Sequence, residues 1–481
     1  MTEQIKADIC VIGAGSGGLS VAAAAAAFGE KVVLLEKAKM GGDCLNYGCV
    51  PSKAMIAAGK QAQTIRDAVK FGVSAGEPEV NYQAVHDHIH SVIAAIEPND
   101  SVERFEGLGV QVIQQAGKFK DAKTVVTADG KTEITARHFV ISTGSSAAKL
   151  PIEGLDDVNY LTNETVFDLT EQPKKLVIIG GGPIGMELAQ AQRRLGTDVT
   201  VLEAFNVLGK DDPELTAVVI DQIRRDGVEL REGAKILRVE KGDEAFDHSA
   251  KIILEGEDGE EDVLEATHLM VAAGRAPNVN GLDLEKANIT YDKRGIKVKD
   301  TLKTTNRRVF AIGDVTGGLQ FTHVAGYHAG LVIRSILFRM TARENRNIIP
   351  WVTYTAPEMA HVGMNEEQAK QKHRDIRILR WPYGENDRAQ AERKTAGLIK
   401  IVTDKRGNIL GASIVGENAG EMINMWSLII SQKMNVKAIT GYISPYPTLS
   451  EIGRRAAISY YGDLPKKPMI RRTISFFKFF G

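Results

Sequence analysis

Cysteine is almost missing from this chain. Its 481 residues hold three, Cys10, Cys44 and Cys49, and none follows Cys49. So sparse a supply excludes a secreted disulfide framework and fits a reducing compartment. A surplus of charge is missing as well: 60 Lys and Arg stand against 61 Asp and Glu, a formal net charge of −1. No global field therefore draws the chain to nucleic acid. Nor is there an apolar run of membrane-spanning length, since the alanine-rich Val21–Phe28 falls far short of the roughly 20 residues a span needs. Met1–Asp8 is polar and leads straight into a strand, so no secretory signal is visible. These absences leave a cytoplasmic globular enzyme, and at this length about three domains are expected.

Glycine is plentiful, and its placement carries information. Asp8–Ile12 reads as a buried strand, followed at once by Gly13-Ala14-Gly15-Ser16-Gly17-Gly18, an alanine-rich helix and a second strand, Lys31–Leu35, ending at Glu36. Strand, glycine turn, helix, strand and acid form the dinucleotide-binding fingerprint in its full context. Gly13 permits the tight turn, Gly15 lets the backbone approach a pyrophosphate, and Gly18 allows close helix–strand packing, while Glu36 accepts from a ribose hydroxyl. The unit recurs: Leu176–Ile179 is a strand, Gly180-Gly181-Gly182-Pro183-Ile184-Gly185 the turn, and Asp198–Leu202 a strand ending at Glu203. Gly180, Gly182 and Gly185 hold a second pyrophosphate. Glu203, with no arginine in the four residues after it, repels a 2′-phosphate and favours NAD over NADP. Cys10, inside the first strand, reads as core.

Cys44 and Cys49 lie in Gly41-Gly42-Asp43-Cys44-Leu45-Asn46-Tyr47-Gly48-Cys49-Val50-Pro51-Ser52-Lys53, close enough to close a small disulfide loop if the geometry permits. A helical pattern follows from Ala54 to Phe71 and ends at Gly72, so Cys49 falls at or just before a helix start. The unpaired amides and the positive dipole end there favour a thiolate. One sulfur is then a shielded thiolate and the other reaches a substrate; the alternative is two unrelated buried thiols.

This stretch resembles the redox-active segment of the FAD-dependent pyridine nucleotide–disulfide oxidoreductases, the family of dihydrolipoamide dehydrogenase, glutathione reductase and mercuric reductase. The resemblance runs through Gly42, Cys44, Leu45, Asn46, Gly48, Cys49, Pro51, Ser52 and Lys53. It implies that Cys49 faces the flavin and that Cys44 is the interchange thiol. It also implies that Glu187 pairs with Lys53 beside the flavin, that Thr143-Gly144 closes a second FAD-contacting strand, and that Gly274 ends the NAD unit. After Gly313, Asp314 hydrogen-bonds the ribityl chain, and the helix over His323–Phe338 aims its N-terminus at the flavin; His323 and His328 are assigned no acid–base role. The fold class implied is α/β, with two Rossmann-like dinucleotide-binding domains for FAD and NAD and an α+β C-terminal dimerisation domain. The segments expected are 1–150 and 281–348 for FAD, 151–280 for NAD, 349–465 for dimerisation and 466–481 as a basic aromatic tail.

The resemblance breaks at one place. Where the family carries a catalytic histidine before Pro-Thr, with a glutamate to orient it, this chain reads Ser444-Pro445-Tyr446-Pro447-Thr448-Leu449-Ser450-Glu451. A tyrosine near its free pKa of about 10 is a poor base at neutral pH, and Tyr446→His would restore a titrating group beside Glu451. The expected enzyme is a homodimer that passes electrons from NADH through FAD and the Cys44–Cys49 disulfide to a disulfide or other thiol-reactive acceptor. An NADH:quinone or diaphorase-type enzyme, a soft-metal-ion reductase and a non-catalytic FAD-binding assembly subunit are the alternatives. No metal site is assigned: His86, His88 and His90 sit on one helical stretch, Tyr82–Phe105 with a kink at Pro98, but nothing nearby completes a ligand set. The tail from Lys466 holds five basic residues, no acid, and Phe476, Phe477, Phe479 and Phe480. In a helix its Ile470, Ile474 and Phe477 share a face. It either packs on the dimer body or makes a weak peripheral contact with an anionic membrane surface.

Overall fold

The computed structural model describes residues 2–256 and 258–481. They form two compact units, 1–206 with 228–344 and 207–227 with 345–481. In the first, Glu3–Ile12 is the centre of a seven-stranded sheet, in register with Val32–Leu35 on one side and Thr132–Ile141 on the other, all parallel. Val32–Leu35 is wholly apolar and buried, and the last four residues of Glu3–Ile12 and the last three of Thr132–Ile141 are buried as well, as a parallel sheet covered on both faces requires. The strand that Thr143-Gly144 closes is ten residues long, Thr132–Ile141, matched along Glu3–Ile12. Gly117–Asp121, which the sequence reading did not pick out, adds an antiparallel edge through buried Phe119.

The second fingerprint builds a four-stranded parallel sheet, ordered Glu229–Glu232, Asp198–Glu203, Lys175–Ile179, His268–Val271. A three-stranded antiparallel meander, Ile236–Lys241, Ala250–Glu255 and Glu261–Ala266, accompanies it. The chain then returns to the first sheet, where Val309–Ala311 pairs with Thr132–Ile141.

Helix limits differ from the periodic pattern where caps and prolines intervene. The helix expected over Ala54–Phe71 spans Cys49–Asp67, followed by a 3-10 turn that stops at Gly72 in the left-handed region. Pro51 sits in the first turn, where no amide has a helical partner to lose. The single helix expected over Tyr82–Phe105 is two, Tyr82–Ile96 and Val102–Gly107. Pro98 occupies a 3-10 turn between them, and the Ser101 side chain accepts from the Arg104 amide to cap the new helix.

In the second unit five antiparallel strands lie in the order Pro350–Thr353, Glu358–Gly363, Ile409–Gly416, Leu398–Asp404, Ile376–Pro382. Ala419–Ser431 and Glu451–Ser459 bury Trp426, Ile423, Ile452 and Ala456 against the sheet. Residues 207–227, expected within the 151–280 segment, pack here instead. Lys400 is the reason: buried in its strand, its ammonium meets Asp212 at 2.7 Å, Glu366 at 2.8 Å and Glu214 at 3.0 Å. A buried ammonium requires such partners.

Candidate functional site

Two glycine-lined cradles repeat one geometry. Gly13 and Gly180 have φ of +105° and +119°, which admits glycine alone without strain. A Cβ on Gly18 would lie 1.9 Å from the Gly13 carbonyl oxygen, and one on Gly185 would lie 2.0 Å from that of Gly180, so both helices rest directly on their turns. Gly15 and Gly182 differ: each is the N-cap of its helix, in extended backbone, with no protein atom within 4 Å of an added Cβ. No side chain caps either helix. Open space before uncapped amides suits a pyrophosphate. The acids close the motif in the same way. Glu36 accepts from Ala14 N at 2.6 Å and Ala38 N at 2.8 Å, and Glu203 from Gly181 N at 2.7 Å and Phe205 N at 3.0 Å. Each carboxylate is thereby fixed at the strand end, the position from which ribose hydroxyls are bound. The residues present fit two dinucleotides.

The redox loop lies beside the first cradle. Gly42–Asn46 is a short helix, Gly48 breaks it, and Cys49 opens the next. Both cysteines are free thiols, Cys44 half-buried and Cys49 exposed. Cys44 hydrogen-bonds the Cys49 sulfur, and this contact, with burial, pushes the Cys44 thiol up. The same contact draws Cys49 down to about 6, helped by a hydroxyl of Thr322 at 3.3 Å and the charge of Lys53, and opposed by burial and by Asp43. The contact therefore favours the thiolate on Cys49, the residue at the helix start, over Cys44. Lys53, one turn on, meets Glu187 at 2.9 Å. Glu187 is buried and reaches the pair from the second fingerprint's helix, Pro183–Arg194.

Thr322 is a site residue the sequence reading missed. It is the first residue of the helix Thr322–Leu337, one ahead of the start assigned at His323. Its signal was a hydroxyl residue at a helix N-terminus, a type common enough to pass unnoticed. His323 stacks on Phe321. His328 is buried, its Nδ1 accepting the Gly313 amide at 3.2 Å and its Nε2 lying 3.1 Å from Glu344.

Thr143 and Gly144 follow the strand Thr132–Ile141: the Thr143 hydroxyl donates to Asn278 O, and the Asn278 amide donates to Gly144 O. Gly274, at φ +104°, turns the chain into Arg275–Pro277, which pairs with Ser145–Ala147. Asp314 follows Gly313 and accepts from the Ser145 hydroxyl at 2.6 Å, with Arg275 Nε 4.0 Å away. Burial holds the Asp314 carboxyl above its usual range against both partners.

Tyr446 and Glu451 belong to the second unit, and they do not pair. The Tyr446 hydroxyl donates to Asp387 at 2.8 Å, which holds the phenol above its ordinary range. Glu451 takes Arg455, one helical turn on, at 2.9 Å. The carboxylate in contact with the residue at position 446 is thus Asp387, 59 residues earlier. The His86 and His90 rings lie with centroids 4.0 Å apart, tilted by 30°, and among the described residues no three ligand-type side chains gather at a metal-sized site.

Residues 7–329 match the pyridine nucleotide-disulphide oxidoreductase family, and residues 349–457 match its dimerisation domain. The chain is 33% identical over 462 residues to mercuric reductase of Lysinibacillus sphaericus, covering 95% of this chain and 83% of that protein. It is 34% identical over 459 residues to dihydrolipoyl dehydrogenase of Geobacillus stearothermophilus, covering 94% and 96%. Among solved structures, LpdA from Mycobacterium tuberculosis aligns with a TM-score of 0.85 at 25% identity, over 95% of this chain and 99% of that one. The Cu(II) complex of the HOCl-induced flavoprotein disulfide reductase RclA from Escherichia coli aligns with a TM-score of 0.82 at 25% identity, over 92% and 98%.

Proposed function

The chain belongs to the pyridine nucleotide-disulphide oxidoreductases, and from that premise we propose how its own residues carry the family's reaction. It is an FAD- and NAD-dependent flavoprotein disulfide reductase with a dimerisation domain, so it works as a pair of copies. Bound FAD would supply two-electron transfer chemistry between a nicotinamide and the Cys44–Cys49 disulfide. Diaphorase-type, quinone-directed and assembly-subunit readings are not favoured, since the family's activity runs through this cysteine pair.

Gly13, Gly15, Gly18 and Glu36 hold one dinucleotide, with Thr143, Gly144, Gly313 and Asp314 along its length; Gly180, Gly182, Gly185, Glu203 and Gly274 hold the other. The fixed negative charge of Glu203 selects NADH. Lys53, held by Glu187, keeps a cation beside the redox pair, and Thr322 donates to the Cys49 thiolate. Cys44 gives its proton to the leaving sulfur as its Sγ bonds the other acceptor sulfur, so the acceptor S–S bond breaks and the first thiol departs. The Cys49 thiolate then attacks Cys44 Sγ, restoring the disulfide and releasing the second product as a thiolate that takes its proton from solvent.

The acceptor class follows from one observation, the Tyr446 hydroxyl bound to Asp387 where the family's histidine acts. A phenol held above its usual range neither gives up nor takes a proton readily near neutrality, and Glu451 is engaged by Arg455, so Tyr446 and Glu451 suit acceptors whose leaving thiol is acidic and needs little proton transfer. We therefore assign reactive, low-molecular-weight disulfides over lipoamide. Tyr446→His should raise dihydrolipoamide oxidation at least about tenfold while leaving turnover of an aromatic disulfide unchanged. A parent enzyme that already oxidises dihydrolipoamide as fast as the variant would overturn this assignment.

A second surface belongs to the same reading. Among the described residues no helix is long and apolar enough to cross a membrane. Pro468–Phe477 is nevertheless a helix with no buried residue, and Met469, Ile474, Phe476, Phe477, Phe479 and Phe480 are all more than half exposed. Five basic residues and no acid accompany them, a combination suited to a weak contact with an anionic bilayer. Salt-sensitive co-sedimentation with phosphatidylserine vesicles, lost on deleting 469–481, is expected. Its absence in the intact protein assigns the tail to protein packing.

A further inference from the structure

The loop that carries the cysteines is held by residues far from it in sequence, and they converge on one carboxylate. Asp43 precedes Cys44, and its side chain folds back across the loop toward Gly48, so that a Cβ there would lie 2.8 Å from Asp43 Oδ2. Asp43 Oδ1 accepts from Asn163 Nδ2 at 3.1 Å, and the same amide donates to Tyr47 O at 3.1 Å. Asn163 is buried and thus bridges both ends of the short helix. The Arg275 guanidinium stands 3.1 Å from Asp43 Oδ1. It is fixed by Ser145, whose hydroxyl takes Nε at 2.7 Å and whose carbonyl takes NH2 at 2.8 Å.

Arg275 is mostly buried, its side chain 12% exposed, and Asp314 lies on its other side at 4.0 Å. One cation therefore stands between the carboxylate of the redox loop and the carboxylate at the end of the first sheet. A buried guanidinium so fixed offsets a nearby negative charge more strongly than a solvated one. Asp43 is an acidic neighbour acting against the Cys49 thiolate, while Lys53, Thr322 and Cys44 favour it, with Glu187 engaged by Lys53.

We propose that Arg275 and Asn163 are positioning residues for the disulfide chemistry, acting through Asp43: Asn163 fixes the loop between the cysteines, and Arg275 offsets a charge that opposes the Cys49 thiolate. The inference rests on the reading of Cys44 and Cys49 as the redox pair. Neither residue touches the reacting sulfurs, so their effect must pass through the Asp43 carboxylate, and that route is testable.

The test is the pH profile of iodoacetamide labelling of the anaerobically reduced, FAD-loaded enzyme, followed at each cysteine by mass. Arg275→Gln should move the Cys49 midpoint upward by about one pH unit, the scale of a single uncompensated charge nearby. Asp43→Asn should move it downward, and in that background Arg275→Gln should add nothing. Arg275→Lys should recover part of the shift. Asn163→Ala should leave the midpoint in place and raise Cys44 labelling several-fold by freeing the loop. Should an Arg275 variant lose FAD, the Asp43→Asn shift alone decides. An unmoved midpoint in Asp43→Asn, or an equal Arg275→Gln shift with and without Asp43, overturns the proposal. Absence of any low-pH labelling at Cys49 in the parent overturns instead the redox-pair reading on which it stands.

Discussion

Gly182→Ala separates cofactor binding from folding. Gly182 has φ −76° and ψ −179°, backbone open to any residue, and an added Cβ meets no protein atom within 4 Å. The apo fold should tolerate the methyl, with stability unchanged or raised by about 0.4–1 kcal/mol through the restricted unfolded chain. The methyl instead fills the space where a pyrophosphate approaches the uncapped amides of Pro183–Arg194. Loss of one charge-assisted hydrogen bond costs about 1.5–3 kcal/mol. That corresponds to roughly a ten- to hundredfold rise in the NADH KM and the NAD+ Kd, at about 1.4 kcal/mol per tenfold. FAD content should stay at the parent value, because its cradle is formed by Gly13, Gly15 and Gly18. Gly185→Ala is the contrast: its Cβ would sit 2.0 Å from the Gly180 carbonyl oxygen, so the helix must move and the melting temperature should fall. Steady-state NADH kinetics, NAD+ titration calorimetry, the flavin-to-protein absorbance ratio and thermal unfolding supply the readouts. An unchanged NADH KM in Gly182→Ala, with FAD content and stability also unchanged, would refute the assignment of that open space to the dinucleotide.

Three further outcomes are expected. Labelling of reduced Cys49 should rise through about pH 6, since a depressed thiol is thiolate above that value; Cys49→Ser should abolish it, and a midpoint near the free-cysteine value of about 8.5 would contradict the thiolate assignment. Glu187→Gln should slow NADH-driven reduction of the disulfide about fivefold in stopped-flow, the Lys53 pair being discounted to about 1 kcal/mol because Lys53 is 37% exposed; an unchanged rate removes the pair from the mechanism. His361 is buried between Ser413 and the Gly363 carbonyl, and burial draws it down to about 4 from 6.5. The unfolded chain therefore binds the extra proton first, and stability should fall by roughly 3 kcal/mol as pH drops from 6.5 to 4. His361→Gln should flatten that loss in chemical denaturation; an equally steep loss assigns it to other groups.

The sequence by itself determined what is local. A glycine is required wherever φ is positive or a Cβ would strike a carbonyl, so Gly13, Gly18, Gly180 and Gly185 mark two cradles within a few residues of the strands and acids that complete them. The Cys44–Cys49 loop was legible for the same reason: helix start, glycine and both sulfurs lie within one short stretch. Even so, local pattern misplaced ends, extending one helix through Pro98 because periodicity does not register a missing amide or a new Ser101 cap.

Only the tertiary structure decided the partners. Glu187 reaches Lys53 across 134 residues and Thr322 reaches Cys49 across 273, pairings set by sheet order and helix packing. Tyr446 turned to Asp387, because Glu451 lies one turn from Arg455 on its own helix and is held there. Residues 207–227 left their sequence neighbours for the sheet around Lys400, whose buried ammonium needed three carboxylates that no short window of the chain contains. Arg275 and Asn163 meet Asp43 from 232 and 120 residues away, a convergence only folding sets. Charge pairing in a low-dielectric interior depends on distance in space, and sequence reports distance along the chain.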